Sequence, residues 1–144
     1  METGSHIRLV LGRAAKAIER VDRYSIADAG LNFSDFSIME ALLHKKSMPI
    51  NTIGEKVLLT SGSMTAAANR LEEKGLITRI QDPSDGRCCY LHLTKSGRRL
   101  IANVFDKHSK NLEKIAAVLN SEERSELVRL LKKIGLHAQI LKLK

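Results

Sequence analysis

Apolar residues recur along this chain at steps of three and four, and the step shortens to two in one stretch only. Ile7, Val10, Leu11, Ala14, Ala15, Ile18 and Val21 share a helical face, which predicts a helix over residues 7–28. Gly30-Leu31-Asn32 breaks that pattern. Ser34 suits the N-cap of a second helix that carries Phe36, Ile38, Met39, Leu42 and Leu43 and ends near Lys45-Lys46, before Pro49. Asn51 suits the cap of a short helix with Ile53, Val57 and Leu58. The polar run from Thr60 to Ser63 separates it from a helix over residues 62–74, whose inward stripe is Met64, Ala67, Ala68 and Leu71 and which Gly75 stops.

Beyond Gly75 the period is two. Ile77 to Ile80 predicts a strand, Asp82-Pro83-Ser84-Asp85-Gly86 is dense turn chemistry, and Cys88 to Leu93 predicts the return strand. Cys89, Leu91 and Leu93 alternate onto one face, which predicts Cys89 inward and Cys88 outward. Thr94 suits the cap of a helix with Leu100, Ile101, Val104, Phe105, Leu112, Ile115 and Leu119. Ser121-Glu122-Glu123 opens a last helix with Leu127, Leu130, Leu131, Ile134 and Leu141. The order is four helices, a hairpin and two helices. This predicts a mainly α fold with a small β-hairpin wing: a winged helix-turn-helix over residues 32–93, with N- and C-terminal helices at 7–28 and 95–140.

In such a fold the helix over 62–74 would be the recognition helix. Its outward positions include Ser63, Thr65, Ala66, Asn69 and Arg70, with Ser61 just ahead. Small hydroxyl side chains at a helix start allow close backbone approach, the first N–H groups suit phosphate, and Asn and Arg reach base edges or phosphates. On the hairpin, Arg79 and Arg87 flank a tip containing Asp82 and Asp85. An Arg at a wing tip suits a narrow minor groove, and a carboxylate such as that of Asp85 can orient it. The competing picture is a solvated helix face and a surface ion pair on a hairpin.

Composition narrows the function class. The 144 residues include 24 Lys and Arg against 16 Asp and Glu, a net charge of +8. A basic excess points to an anionic partner, double-stranded DNA first. Residues 51–100 and residues 121–144 each contribute +3, so only part of the charge falls on the proposed DNA-binding lobe. No apolar run approaches the ~18 residues of a membrane span, and Met1 to His6 has no apolar signal region, so a cytoplasmic protein without a membrane partner is expected. The two cysteines are adjacent, which excludes a disulfide framework. Five scattered His show no helical ligand spacing, and no nucleophile–base pair or nucleotide loop occurs. No metal, cofactor or enzymatic activity is expected.

The residues that follow the recognition helix resemble a known family. Asn69-Arg70-Leu71-Glu72-Glu73-Lys74-Gly75-Leu76-Ile77-Thr78-Arg79, then Asp85-Gly86-Arg87, then Leu93-Thr94-Lys95-Ser96-Gly97, look like the recognition-helix end, wing and following helix start of MarR regulators. The resemblance extends over nearly the whole chain and implies a single MarR-like unit over 1–144. It implies a dimeric transcriptional regulator, such as a repressor on a palindromic operator, relieved by a small ligand or by oxidation. Gly86, where a second basic residue is frequent, and Ala66, where Arg or another polar residue is frequent, depart from the pattern and bear on sequence preference. Ile53-Gly54-Glu55-Lys56 with Thr60-Ser61-Gly62-Ser63 is similar to a branch that senses quinones and other electrophiles.

The apolar faces of the outer helices would be sticky if left bare, which points to a homodimer. The resemblance implies an effector pocket between the DNA-binding lobe and those helices. Candidates for a small aromatic or electrophilic effector are Tyr24, Phe36, Met39, His44, Phe105 and His108, each of which also fits a core or surface role. Cys88, beside Arg87, is the candidate redox residue, but an inert thiol is the favoured reading, because no second, distant Cys is there to resolve it. The alternative function is a winged-helix protein-interaction module without sequence-specific DNA binding. Basic residues on both helix and wing disfavour it.

Overall fold

The computed structural model describes residues 1–144. Six helices and a three-stranded antiparallel sheet follow one another as α1 (Gly4–Ile26), a 3-10 turn (Ala27–Ala29), α2 (Phe33–Lys45), β1 (Met48–Pro49), α3 (Ile50–Lys56), α4 (Ser61–Glu73), β2 (Ile77–Asp82), β3 (Asp85–Leu93), α5 (Lys95–Ala116) and α6 (Ser121–Ile140). The chain divides into two compact units, Met1–Ser109 and Lys110–Lys144.

The first unit is built around α2 and α4. Phe36, Ile38, Met39 and Leu42 from α2, Ile53 from α3, Ala67, Ala68 and Leu71 from α4, Ile77 and Leu91 from the sheet and Ile101 from α5 are buried in one cluster. Burying each large apolar side chain stabilises the fold by about 1.5–3 kcal/mol. Met64, Ala67, Ala68 and Leu71 are all buried, so the expected inward stripe of α4 is met.

Local differences from expectation lie at helix starts and at one strand. Asn32, not Ser34, caps α2, its side chain accepting from the Asp35 N–H. Pro49 precedes α3 and displaces Asn51 from the cap into the helix, because its fixed φ suits a helix entrance. Asn120, not Ser121, caps α6 in a reciprocal capping box with Glu123. The strand β1 was not expected. It is two residues long and pairs Met48 with Leu91 and Pro49 with Tyr90 at the edge of the sheet, where a proline without an N–H is tolerated.

The end of α4 and the start of α5 are tied together. Gly75 adopts φ +72°, its N–H donates to the Glu72 carbonyl, and the Leu76 N–H donates to the Leu71 carbonyl. This is the paired hydrogen bonding that closes a helix through a left-handed residue. The Leu76 carbonyl then accepts from the Thr94 N–H. The Thr94 hydroxyl donates to the Gly75 carbonyl at 2.7 Å and accepts from the Gly97 N–H at 2.9 Å.

In the second unit, Arg124 donates to Glu113 and to the Leu119 carbonyl. No residue of α6 is buried. Leu127, Val128, Leu130, Leu131 and Ile134 stand exposed along it, as Ile7, Leu9, Val10, Leu11 and Ile18 do along α1. No helix is long and apolar enough to cross a membrane.

Candidate nucleic-acid interface

The helix pair α3–α4 turns through Val57 to Thr60. Leu58 holds φ +60° there with its side chain in solvent, and the Leu59 N–H donates to the Gly54 carbonyl. A non-glycine residue in this region costs roughly 1–2 kcal/mol, so the packing of α3 on α4 must hold the turn in place. Thr60 caps α4: its Oγ1 accepts from the Ser63 N–H and donates to Ser63 Oγ. The Thr65 hydroxyl donates back to the Ser61 carbonyl.

With Met64, Ala67 and Ala68 buried, the other face of α4 is bare. Ser61, Gly62, Ser63, Thr65, Ala66 and Asn69 are all exposed. Nothing on this face before Asn69 is longer than threonine, so a nucleic acid could approach the helix backbone closely. Arg70 behaves differently. Its Nη2 donates at 2.9 Å to Oδ1 of Asp35, whose side chain is 2% exposed, while Nε is buried without a hydrogen-bond partner. The structure therefore makes Arg70 a tether from α4 to the first turn of α2, rather than an arm extended into solvent.

The wing is the β2–β3 hairpin. Ile77, Arg79 and Gln81 pair with Leu93, Leu91 and Cys89 on one face. That face carries the core residues Ile77 and Leu91, so Arg79 points back toward the helices. Its Nη2 donates to Asn69 Oδ1. Arg87, with Asp85 and Gly86, is exposed at the tip. Asp85 does not orient the Arg87 guanidinium: its carboxylate accepts from the Arg87 main-chain N–H at 3.0 Å and so shapes the turn. Asp82 does the same for Ser84, accepting from its N–H and its hydroxyl. These bonds, the main-chain one foremost, hold the Asp82 carboxyl below its ordinary pKa range. Gln81 Nε2 donates to the Gly86 carbonyl and closes the loop.

Cys88 and Cys89 are both half-buried free thiols, so the expected contrast between an inward and an outward cysteine is absent. The two-stranded tip projects past the core, and even its inner face is only partly covered there. The effector candidates form two ring pairs. Phe36 and His108 meet edge to face with centroids 5.0 Å apart, and His44 and Phe105 do so at 4.7 Å. Met39 is fully buried and Tyr24 is exposed. His108 Nε2 lies 3.4 Å from Asp22, and its Nδ1 is buried without a partner. Burial raises the Asp22 pKa, with His108 opposing. None of the six lines the surface groove along α1, which runs from Arg8 to Asp22 and Phe33.

Sequence reasoning missed Asp35 and Gln81. Thr60 lies in the polar run expected ahead of α4, and the structure makes it the cap. The pairing of Asp35 with Arg70 spans 35 positions and carried no local signal.

A model of the MarR family matches residues 31–89, from the end of the 3-10 turn to the wing. The transcriptional regulator MhqR of Bacillus subtilis, named as HTH-type, is 35% identical over 131 residues, covering 91% of this chain and 90% of its own. The chain belongs to the MarR family. Solved structures agree on the fold of this MarR protein. A transcriptional regulator named PA4135 superposes with a TM-score of 0.81 at 23% identity, covering 99% of this chain and all of its own. NadR in complex with 4-hydroxyphenylacetate gives 0.79 at 24% identity, covering 93% and 97%. The MarR protein is a winged-helix transcriptional regulator.

Proposed function

We propose that this regulator is a ligand- or stress-responsive repressor that binds a palindromic operator as a homodimer in the cytoplasm. One observation carries the reading: the bare face of α4, Ser61 to Asn69, lies in the same lobe as an exposed wing-tip Arg87. Helix N–H groups and small side chains of α4 enter a major groove, and Arg87 enters the adjacent minor groove. The exposed apolar rows of α1 and α6 favour a second copy of the chain as their cover. The dimerisation helices would then be 7–28 and 95–140, around a DNA-binding lobe of 32–93. Two recognition helices about 34 Å apart would read two half-sites one DNA turn apart.

The effector is proposed as a small aromatic or electrophilic molecule. The similarity of Ile53–Lys56 and Thr60–Ser63 to the electrophile-sensing branch supports that class, and the aromatic–imidazole pairs Phe36–His108 and His44–Phe105 supply an apolar, weakly basic site for it. Cys88, half-buried next to Arg87, is the proposed electrophile target.

Selection of bound genomic fragments gives the operator and tests the reading directly. On that operator, Arg87→Ala is expected to weaken binding roughly tenfold at fixed salt and to reduce the salt slope by about 1. An unchanged dissociation constant would remove the wing from the interface. Sedimentation at micromolar concentration is expected to give twice the 16.0 kDa chain mass. A monomer would overturn the dimer.

A further inference from the structure

The contact between wing and recognition helix constrains what Asn69 can read. An amide side chain normally presents an acceptor and two donors, and the two ends can exchange places by rotation. Here one partner decides the matter. Arg79 Nη2 faces the Asn69 amide at hydrogen-bond distance, and a guanidinium has donors only, so the atom facing it must be Oδ1. Asn69 is exposed on α4, and its remaining polar atom is Nδ2. Arg79 is committed to this contact. Its backbone pairs in the sheet opposite Leu91, its side chain is half-buried on the inner face, and its Nε is enclosed without a hydrogen-bond partner.

We infer that Arg79 is a positioning residue that locks the Asn69 amide one way round, with Oδ1 toward the wing, so that Asn69 reads base edges in a single orientation. This rests on the DNA-binding reading above. An unrestrained asparagine pairs with adenine through both ends, accepting from N6 and donating to N7. Oδ1 keeps a second lone pair after accepting from Arg79, so the adenine contact stays open, but only with the amide in its fixed orientation. Nδ2 can also donate to purine N7, guanine O6 or thymine O4. The lock therefore removes the turned-over amide, and with it the base contacts that only the turned-over amide could make. Arg79 changes the specificity of the recognition helix without touching a base.

The test compares base preference in bound-fragment selection for the full chain and two variants. Asn69→Asp keeps an acceptor for Arg79 and the side-chain shape but removes the outward donor. It is expected to lose, by roughly fivefold or more, the preference at one base position of each half-site. The added negative charge lowers affinity for all sequences alike and does not move that readout. Arg79→Met keeps the side-chain length, frees the amide to turn over, and is expected to weaken the base preference at that same position by roughly threefold or more. A purely structural strut between wing and helix would lower affinity in both variants and leave the preference profile unchanged, which overturns the inference. If the unaltered chain selects no sequence, the DNA-binding reading falls and takes the inference with it. If it selects a site whose profile neither variant alters, only the inference falls.

Discussion

Arg70→Met is expected to destabilise the protein by about 3 kcal/mol, and Asp35→Ala by roughly half of that or less. The asymmetry follows from burial. Asp35 is 2% exposed and Arg70 43% exposed at the side chain. Removing the arginine leaves a buried carboxylate with no cation, and its desolvation is then uncompensated. Removing the aspartate leaves a guanidinium that is already half in water and can turn outward. The ion pair itself contributes little net stability, because each charge was better solvated before folding. Its effect is directional: it fixes the azimuth of α4 against α2, and thereby the face that Ser63, Thr65 and Asn69 present. Urea unfolding of both variants checks this, at one protein concentration because the midpoint of the proposed dimer would move with concentration. Equal losses, or a larger loss in Asp35→Ala, would show that the pair is not the buried tether described.

Gly97→Ala is expected to cost about 3 kcal/mol and to lower the thermal midpoint by roughly 10 °C. A Cβ built on Gly97 lies 2.0 Å from the Leu76 carbonyl oxygen and 2.9 Å from its carbon. Both belong to backbone, so no side chain can swing aside. The carbonyl is also occupied, accepting from the Thr94 N–H. To admit a methyl group, the first turn of α5 must separate from the end of α4, and the Thr94 bonds to Gly75 and Gly97 are lost together. By contrast, Gly62→Ala meets nothing within 4 Å and is expected to leave stability within about 0.5 kcal/mol. Comparable midpoints for the two variants would refute the close approach. The arrangement gives a physical reason for the Leu93-Thr94-Lys95-Ser96-Gly97 pattern. The threonine caps α5 and joins it to the glycine that ends α4. The second glycine lets the two backbones touch.

The elements that were legible in the sequence share one property: their signal is local. The stripe of Met64, Ala67, Ala68 and Leu71, the stop at Gly75, the switch to period two at Ile77 and the turn at Pro83-Ser84 lie within a few residues of what they determine. The cap shifts at Asn32, Pro49 and Asn120 are small errors of the same kind, where two cap-type residues stood close together. The strand β1 had no signal, because two residues show no period and its partner Leu91 lies 43 positions away. The cysteines were misjudged for a related reason. Strand alternation says which face a residue takes, not how far the core extends under it.

For the proposed interface, residue types and spacing alone singled out α4 and the wing, and Ser61, Ser63, Thr65, Ala66, Asn69 and Arg87 are exposed on them. Helical period and turn chemistry suffice for that, since they state which side chains the core cannot use. They do not state which exposed-type residues find partners across the fold. Arg70 and Arg79 looked equivalent to Arg87, three arginines on one surface. Only the tertiary structure separated them. It gave Arg70 a buried carboxylate on α2, gave Arg79 an amide on α4, and left Arg87 facing outward. Hydrogen bonds between distant segments depend on where the packed core brings those segments, and packing is set by the whole chain at once rather than by any window along it.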